Sequence, residues 1–371
     1  MATDPTRRPG WGPPHCPNSS CKYHKDLPDT APRWRYVRKG FYTRPSDQRR
    51  VQRFQCRTCG VNFSSQTFSL SYWQKRPELT NKIFLLSLGC MATRQIARTL
   101  KASPQTISEH LARLARHAML WQTAKLRGVK ARGPVVIDGL RSFEYSQYHP
   151  IEHHVAVEKD TSFVLYHTES ELRRSGRMTA YQRRKRRRIE DRVGRPDPQA
   201  TRKDVQELLA VSLEGLDRAI VLSDEHRAYV QAIRKLEPSV THRVTNSKKR
   251  RSQHNPLYEI NLLDLWIRHA QSNHKRETIA ASKRRQASAE KLTLLQVWKN
   301  YIQRRRVNGP PETPAMLKGL IDRPLSFVAI FRRRLFPGRI KLPARWQLYY
   351  RRAVSTREYP RNQAHRLKYA F

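Results

Sequence analysis

Two aspartates that closely follow apolar runs are the first candidates for chemistry in this sequence. Asp138 follows the run VVI at 135–137, and Asp224 comes two residues after the run AIVL at 219–222. Both runs predict buried β-strands, because apolar β-branched side chains fit a pleated surface. Two carboxylates at two strand ends predict one shared site for divalent cations, which prefer oxygen ligands. The alternative is that each aspartate only caps a helix or a turn.

A metal site that acts on phosphodiesters generally needs a third acid, and Asp264 is the leading candidate. Residues 261–268 (NLLDLWIR) predict an amphipathic helix in which Asp264 and Arg268 share a face at i and i+4. Arg268 would orient this carboxylate or bind a phosphate. Glu277 and Glu259 are the alternatives for the third acid. Each of the three could instead be a surface acid in a salt bridge.

Four of the five cysteines form two close pairs, Cys16 with Cys21 and Cys56 with Cys59. Four thiolates suit tetrahedral zinc, and each pair must lie within one tight turn so that both sulfur atoms reach one ion. His15 and His24 flank the first pair and could replace one cysteine ligand. Unrelated free thiols are the other reading of the pattern. The fifth cysteine, Cys90, is expected to pack as a small apolar residue.

The balance of charged residues indicates the kind of partner. The 371 residues include 74 Lys and Arg against 30 Asp and Glu, a net charge of +44. Such an excess repels itself unless it meets a polyanion, so nucleic acid is the expected partner. No apolar run approaches the roughly 18 residues of a membrane span, and the N-terminus lacks the apolar core of a signal peptide. We therefore expect a cytoplasmic protein that does not associate with membranes.

The first 130 residues predict two small domains that bind DNA. Residues 1–70 would form a zinc ribbon, because zinc stabilises a segment too polar to hold a core of its own. In residues 71–130, predicted helices at 93–100 and 103–120 are joined by a short turn, and Ser103 before Pro104 is a strong helix start. This arrangement predicts a helix-turn-helix; an ordinary three-helix bundle is the alternative. The second helix would present to a major groove the side chains of Gln105, Thr106, Ser108 and Arg113.

The region 133–300 predicts an α/β domain around the acids. Further strands are expected at 153–157 and 162–166, followed by a helix at 202–214 and the strand that precedes Asp224. This order is that of an RNase H-like core. The basic segment 173–202 cannot bury a core and is expected to be a mobile insertion or loop that either binds phosphates or has no specific role.

The last region, 301–371, is a basic extension that mixes aromatic residues with cations, as in RRR at 332–334 and YYRR at 349–352. Such a segment either contacts DNA or stacks on bases, or packs against the catalytic core and shields it.

Residues 16–301 together resemble a bacterial insertion-sequence transposase of the DDE type, in the group with an N-terminal zinc ribbon. The motifs that carry this resemblance are CRTCGVNFSS, IDGLRSFEY, LSDEHRAY and NLLDLWIRHAQSNHKRETIAASKRR. The resemblance implies an RNase H-like nuclease fold, magnesium bound by Asp138, Asp224 and a third acid on a later helix, and recognition of terminal inverted repeats by the N-terminal part. It also implies a homo-oligomer on double-stranded DNA in the bacterial nucleoid.

The chemistry expected from these acids is strand cleavage followed by strand transfer. Two Mg²⁺ or Mn²⁺ ions about 4 Å apart can stabilise the attacking and leaving oxygens of an in-line displacement. Two other functions fit parts of the sequence. A zinc-ribbon and helix-turn-helix regulator would bind DNA without cutting it, and an RNase H-like nuclease would use the same acids without strand transfer.

Overall fold

The computed structural model of the protein contains two β-sheets with helices around them. It describes residues 11–25, 32–45, 47–236, 239–275, 278–306, 308–359 and 362. A three-stranded sheet lies near the N-terminus, and a five-stranded mixed sheet forms the centre of the larger region. The α/β class and the four-cysteine cluster beside the small sheet are therefore confirmed.

The small sheet is antiparallel and surrounds an aromatic cluster. Its strands are β1 (Tyr36–Arg44), β2 (Arg49–Cys56) and β3 (Asn62–Ser64). Phe54, Phe63 and Phe68 are buried here together with three of the cysteines, and Phe336 from the C-terminal region completes the cluster. The N-terminal unit is thus closed partly by a residue from the other end of the chain.

Three helices follow, and the second and third agree with the helices predicted at 93–100 and 103–120. They are α1 (Thr80–Leu88), α2 (Thr93–Thr99) and α3 (Pro104–Leu126). The Ser103 hydroxyl accepts a hydrogen bond from the backbone N–H of Thr106 at 3.1 Å, so α3 begins as predicted. Helix α3 continues past residue 120 because Gln122 is buried and donates to the carbonyl oxygen of Val164.

The large sheet has the strand order β6-β5-β4-β7-β8. Its strands are β4 (Val135–Phe143), β5 (Pro150–Glu158), β6 (Phe163–Glu171), β7 (Arg218–Ser223) and β8 (Ser239–Val244). The first three strands pair antiparallel, whereas β7 is parallel to β4 and β8 is parallel to β7. This arrangement is compatible with an RNase H-like core.

Strand β4 differs from its prediction in one respect that matters for the site. Asp138 was expected where the strand ends, but β4 continues to Phe143. The pairing continues because Gly139 to Phe143 stay in register with β5 and Leu140 is buried. Asp138 therefore lies within a paired strand, opposite Val155.

Helices cover both faces of the large sheet. They are α4 (Ala180–Val193), α5 (Ala200–Ser212), α6 (Arg227–Ile233), α7 (Tyr258–Ala270) and α8 (Arg285–Tyr301). In β6, His167 contacts Thr293 of α8, and the next residue, Thr168, donates to the backbone of Asp204 in α5. Successive side chains of a strand point to opposite faces, so α8 and α5 lie on opposite faces.

The expectation of a loop over residues 173–202 was wrong, because this segment contains α4. A capping box starts the helix: the Thr179 hydroxyl accepts from the backbone of Gln182, and the Gln182 side chain accepts from the backbone of Thr179. Glu190 then pairs with three arginines, Arg173, Arg186 and Arg195. Capping and ion pairs hold a helix here although none of its residues is fully buried.

The C-terminal region packs against all the earlier ones. It contains α9 (Pro314–Leu317), α10 (Phe327–Phe331) and α11 (Ala344–Arg351). Trp346 is buried and donates to the carbonyl oxygen of His167 in the large sheet. The backbone N–H of Arg334 donates to Phe68 of the N-terminal unit at 2.9 Å. The packing part of the sequence-based expectation holds, and DNA contact by this region stays a prediction.

Among the helices of the described ranges, none combines the length and the apolar character that crossing a membrane requires.

The ion pair between Lys318 and Glu158 allows a test of how the C-terminal region is attached. Their side chains are fully buried and 2.6 Å apart. We expect Lys318→Met to lower the free energy of unfolding by about 3–5 kcal/mol, because it leaves a buried carboxylate without a partner. Urea unfolding at pH 7 measures this change. The double variant with Glu158→Gln should recover most of the loss, and a single variant as stable as the wild type would contradict the assignment.

Candidate metal centres

The four cysteines that the sequence singled out come together beside the small sheet. Their sulfur atoms all lie within 4.8 Å of one another. The Cys16 and Cys59 sulfurs are 3.6 Å apart, and the Cys21 and Cys56 sulfurs are 4.0 Å apart. Gly60 makes the turn after the second pair possible, since its φ of 70° is one that glycine adopts readily. The arrangement is a possible zinc site.

The surroundings of the cluster favour a thiolate at one position. Burial raises the pKa of the Cys56 thiol, but hydrogen bonds from the backbone of Cys59 and the indole of Trp34 outweigh it, and the pKa falls to about 6. Burial instead raises the pKa of Cys16 and Cys21. A thiolate is the ligand that zinc requires. Four sulfur donors in such a space fit a structural zinc ion.

The two histidines near the first cysteine pair are not in this cluster. A ring nitrogen of His24 lies 2.8 Å from the carbonyl oxygen of Cys16, where it supports the backbone of the turn. The His15 ring packs edge-on against Phe68 and Phe336. Both histidines shape the environment of the sulfur atoms, and the potential ligands are four cysteines.

Two of the three candidate acids belong to neighbouring parallel strands: Asp138 lies within β4, and Asp224 directly follows β7. Val136 of β4 pairs with Leu222 of β7. Asp138 and Asp224 each lie two residues beyond this pair, so the register places them side by side at adjacent strands. Neighbouring strands are about 4.8 Å apart. The common direction of β4 and β7 thus brings together two acids that are far apart in the sequence.

Helix α7 carries the third candidate acid, Asp264, near Asp138. Burial raises the pKa of Asp264, the charge of Asp138 raises it further, and Arg268 and Arg251 lower it, with a net pKa of about 7. For Asp138, burial also raises the pKa, a hydrogen bond from the Gly139 N–H opposes it, and Asp224 adds to it, with a net pKa of about 6. The three carboxylates share one electrostatic environment.

The acids form a wider group than the cysteines. Within the described ranges, the four-cysteine cluster is the one set of three or more potential ligands whose atoms all lie within 4.8 Å of one another. Half-buried carboxylates are hard oxygen donors that suit Mg²⁺ or Mn²⁺.

Glu259 and Glu277 are the two alternative candidates for the third acid. Glu259 is also on α7, but the charges that act on it belong to Lys159, Arg305 and Asp160, and neither strand aspartate is among them. Glu277 lies outside the described residues. Of the candidates that the structure describes, Asp264 is therefore the one beside Asp138.

Three residues that the sequence did not single out also contribute to this site. Glu152 of β5 and the hydroxyl of Tyr229 in α6 approach β4 at Gly139, where a Cβ atom would be 2.8 Å from each. Arg251, in the segment before α7, acts on the charges of both Asp138 and Asp264. A glycine inside an apolar strand often marks such a close approach, so Gly139 was the available signal.

The predicted DNA-contacting residues have varied surroundings. Gln105 and Ser108 are exposed near the start of α3, and Thr106 is half-buried. The Arg113 guanidinium donates to the carbonyl oxygens of Leu70 and Tyr72, so it holds the preceding segment.

Like Arg113, Arg268 holds a neighbouring backbone segment, because it donates a hydrogen bond to the carbonyl oxygen of His274 at 3.1 Å. DNA contact by these five residues stays a prediction.

In comparisons with known proteins, no family model matches this sequence, and no curated protein matches it either. The observations that define the molecule are thus its four-cysteine cluster and its mixed five-stranded sheet with helices.

The cysteine cluster predicts a fixed metal content. We expect the purified protein to carry one zinc ion per chain, measured by inductively coupled plasma mass spectrometry. Cys56→Ser should remove the ion, because it deletes the sulfur with the lowered pKa. Cys90→Ser is the matched control and should keep it. Equal zinc in both variants would contradict the assignment.

The crowded acids predict a specific pH dependence of stability. The pKa of Asp264 is raised from 3.8 to about 7 in the folded protein. Its negative charge therefore destabilises the fold. The full effect is present above pH 7, and it declines as the pH falls towards 4. Without added divalent cations, Asp264→Asn should therefore stabilise the protein at pH 8 by about 4 kcal/mol, since the pKa is about three units above its ordinary value and each pKa unit is about 1.4 kcal/mol. This gain should shrink at pH 5.

Thermal melts at both pH values measure this effect. The exposed Asp217, at the opposite end of β7 from Asp224, provides the control Asp217→Asn, which should change little at either pH. A loss of stability in Asp264→Asn at pH 8 would show that its carboxylate does not face other negative charges.

Proposed function

We propose that this protein is a DNA transposase of the DDE type. The observation that carries the proposal is the convergence of Asp138, Asp224 and Asp264 from two parallel strands and a crossing helix. Strand order β6-β5-β4-β7-β8 supports an RNase H-like catalytic core around these acids. The four cysteines support a zinc ribbon in front of it.

The charges around the acids support a site for divalent cations. In the described part of the chain, the three carboxylates form no ion pair within 4 Å, although the chain has 74 Lys and Arg residues. By contrast, the buried Glu158 is paired with Lys318. Acids that stay unpaired in so cationic a protein would hold Mg²⁺ or Mn²⁺. Bound there, the ions would activate the attacking oxygen and stabilise the leaving oxygen of a phosphodiester.

The remaining groups have roles that follow from their positions. Arg251 and Arg268 lie beside the acids and would bind the phosphate that is cut. In the first step, water attacks the phosphorus at an element end, the bond to the 3′ oxygen breaks, and a 3′-hydroxyl is released. In the second step, that hydroxyl attacks the phosphorus of a target phosphodiester, a new P–O bond forms, and the bond to the target's own 3′ oxygen breaks and releases it as a 3′-hydroxyl. No bond forms between protein and DNA.

Recognition of the element ends would belong to the N-terminal regions. The exposed side chains Gln105 and Ser108 lie at the start of α3, where a recognition helix enters a major groove. The net charge of +44 supplies affinity for phosphates that is independent of sequence. Two element ends must be joined to one target, so we expect a homo-oligomer on double-stranded DNA.

The proposal predicts that cleavage and binding can be separated. We expect Asp138→Asn and Asp224→Asn to abolish Mg²⁺-dependent cutting of a fragment that ends in the inverted repeat, because each removes a charged metal ligand. Binding of the same fragment should survive, since the helices and the zinc unit are untouched. A gel assay with and without Mg²⁺ measures both. An inactive Asp264→Asn variant together with an active Glu259→Gln variant would identify Asp264 as the third acid. The variant Glu277→Gln tests the remaining candidate.

The control is Asp217→Asn, which removes an exposed carboxylate from the same domain and should cut normally. Joined products of element end and target would distinguish a transposase from an RNase H-like nuclease that uses the same acids. Normal cutting by both the Asp138 and the Asp224 variants would contradict the assignment of the metal site, whereas binding without cutting by the unmodified protein would leave only a DNA-binding regulator.

A further inference from the structure

Helix α4 carries six consecutive cations, RRKRRR at 183–188, on the surface of the large domain. Its residues are exposed or half-buried. The helix is therefore not explained by a contribution to the apolar core, and its two sides have different surroundings.

The inner side of α4 is fixed to the protein. Glu190 forms ion pairs with arginines on both sides of it in the sequence, and Arg192 donates to Glu358 at 2.7 Å. Arg357 donates to the carbonyl oxygen of Val193 at 2.8 Å, and Lys185 lies over the ring of Tyr148. These contacts hold the helix in one orientation before any partner binds.

The outer side has no such partners. Arg184, Arg187 and Arg188 are exposed, and in the part of the chain that the structure describes their side chains form no hydrogen bond or ion pair. Tyr181 is 63% exposed one turn earlier. Residues three and four apart share one side of a helix, and like charges at this spacing destabilise it. Asp191 offsets only part of this charge.

We propose that this outer side of α4 binds the phosphate backbone of double-stranded DNA, independently of base sequence. Arg184 and Arg188 are separated by about 6 Å along the helix axis. This distance is close to the rise of two nucleotides of one DNA strand along the axis of the duplex, which is about 3.4 Å per nucleotide. A polyanion would remove the repulsion between the arginines and so stabilise a helix with this charge.

The position of α4 connects it with the acids. The helix packs against residues 144–150, which follow strand β4 directly. From Asp138 to Phe143 the strand covers about 17 Å, whereas one turn of DNA is about 34 Å long. The segment beside α4 therefore begins within about one turn of DNA from Asp138, and a duplex that runs from the acids in this direction would reach α4. The connection between α4 and the acids rests on the proposed function of the acids in DNA cleavage.

The test is the salt dependence of binding by a variant with three substitutions, Arg184→Gln, Arg187→Gln and Arg188→Gln. Glutamine has a helix propensity similar to that of arginine, so the helix should persist. Anisotropy of a labelled duplex without divalent cations gives the affinity at several salt concentrations. Each lost phosphate contact reduces the slope of log K against log salt by about 1, so we expect a reduction of about 3. The loss should be equal for inverted-repeat and arbitrary sequences.

Two further variants control for charge and fold. Replacing the same three arginines by lysine should keep the wild-type slope, because the charge is retained. Removing three exposed cations elsewhere, with Arg218→Gln, Arg234→Gln and Lys235→Gln, should leave the slope close to that of the wild type. The melting temperature of the α4 glutamine variant should be unchanged or higher, since repulsion is removed.

An unchanged slope in the α4 glutamine variant would overturn the proposal. A loss of affinity for single-stranded RNA with no loss of affinity for the DNA duplex would also overturn it. Because binding is measured without cleavage, this result is independent of the catalytic test. A protein that cuts DNA but binds it with an unchanged slope would disprove only the role of α4, and a protein that never cuts could still show the predicted slope.

Discussion

Mutual repulsion among Asp138, Asp224 and Asp264 is the constraint on which the rest of the structure depends. Like charges do not stay together in a half-buried place unless a framework holds them. Burial raises the pKa of Asp138 and Asp264, and the charge of a neighbouring aspartate raises each of them further. Parallel pairing of β4 with β7 fixes two of the acids, and α7 fixes the third. Such strained charge is typical of functional sites. Divalent cations would convert the repulsion into binding energy.

The framework extends to both ends of the chain. Phe336 from the C-terminal region completes the aromatic cluster next to the cysteines, and His117 of α3 contacts the carbonyl oxygen of Ile330 at 2.8 Å. Trp346 reaches the large sheet through its bond to His167. The C-terminal region thus contacts the N-terminal unit, the helices and the sheet, so the parts proposed to recognise DNA are connected to the part proposed to cut it.

The sequence predicted the features that depend on local patterns. Apolar β-branched runs located the strands before Asp138 and Asp224, and Ser103 with Pro104 located the start of α3. Strand β8 was missed because its residues SVTHRV are largely polar and no apolar run marks it. Helix α4 was taken for a loop because its stability comes from capping and from ion pairs with residues outside it. Composition does not reveal such partners.

Gly139 signals that some side chain approaches β4, but that Glu152 is this side chain, and that Arg251 lies near the acids, could not be predicted, because these positions depend on strand register and on the path of a loop. The most direct test of the central claim is anomalous diffraction from crystals of the protein soaked in Mn²⁺. We predict a manganese peak within about 2 Å of carboxylate oxygens of both Asp138 and Asp224. Peaks only elsewhere, with these two carboxylates turned away from each other, would contradict it.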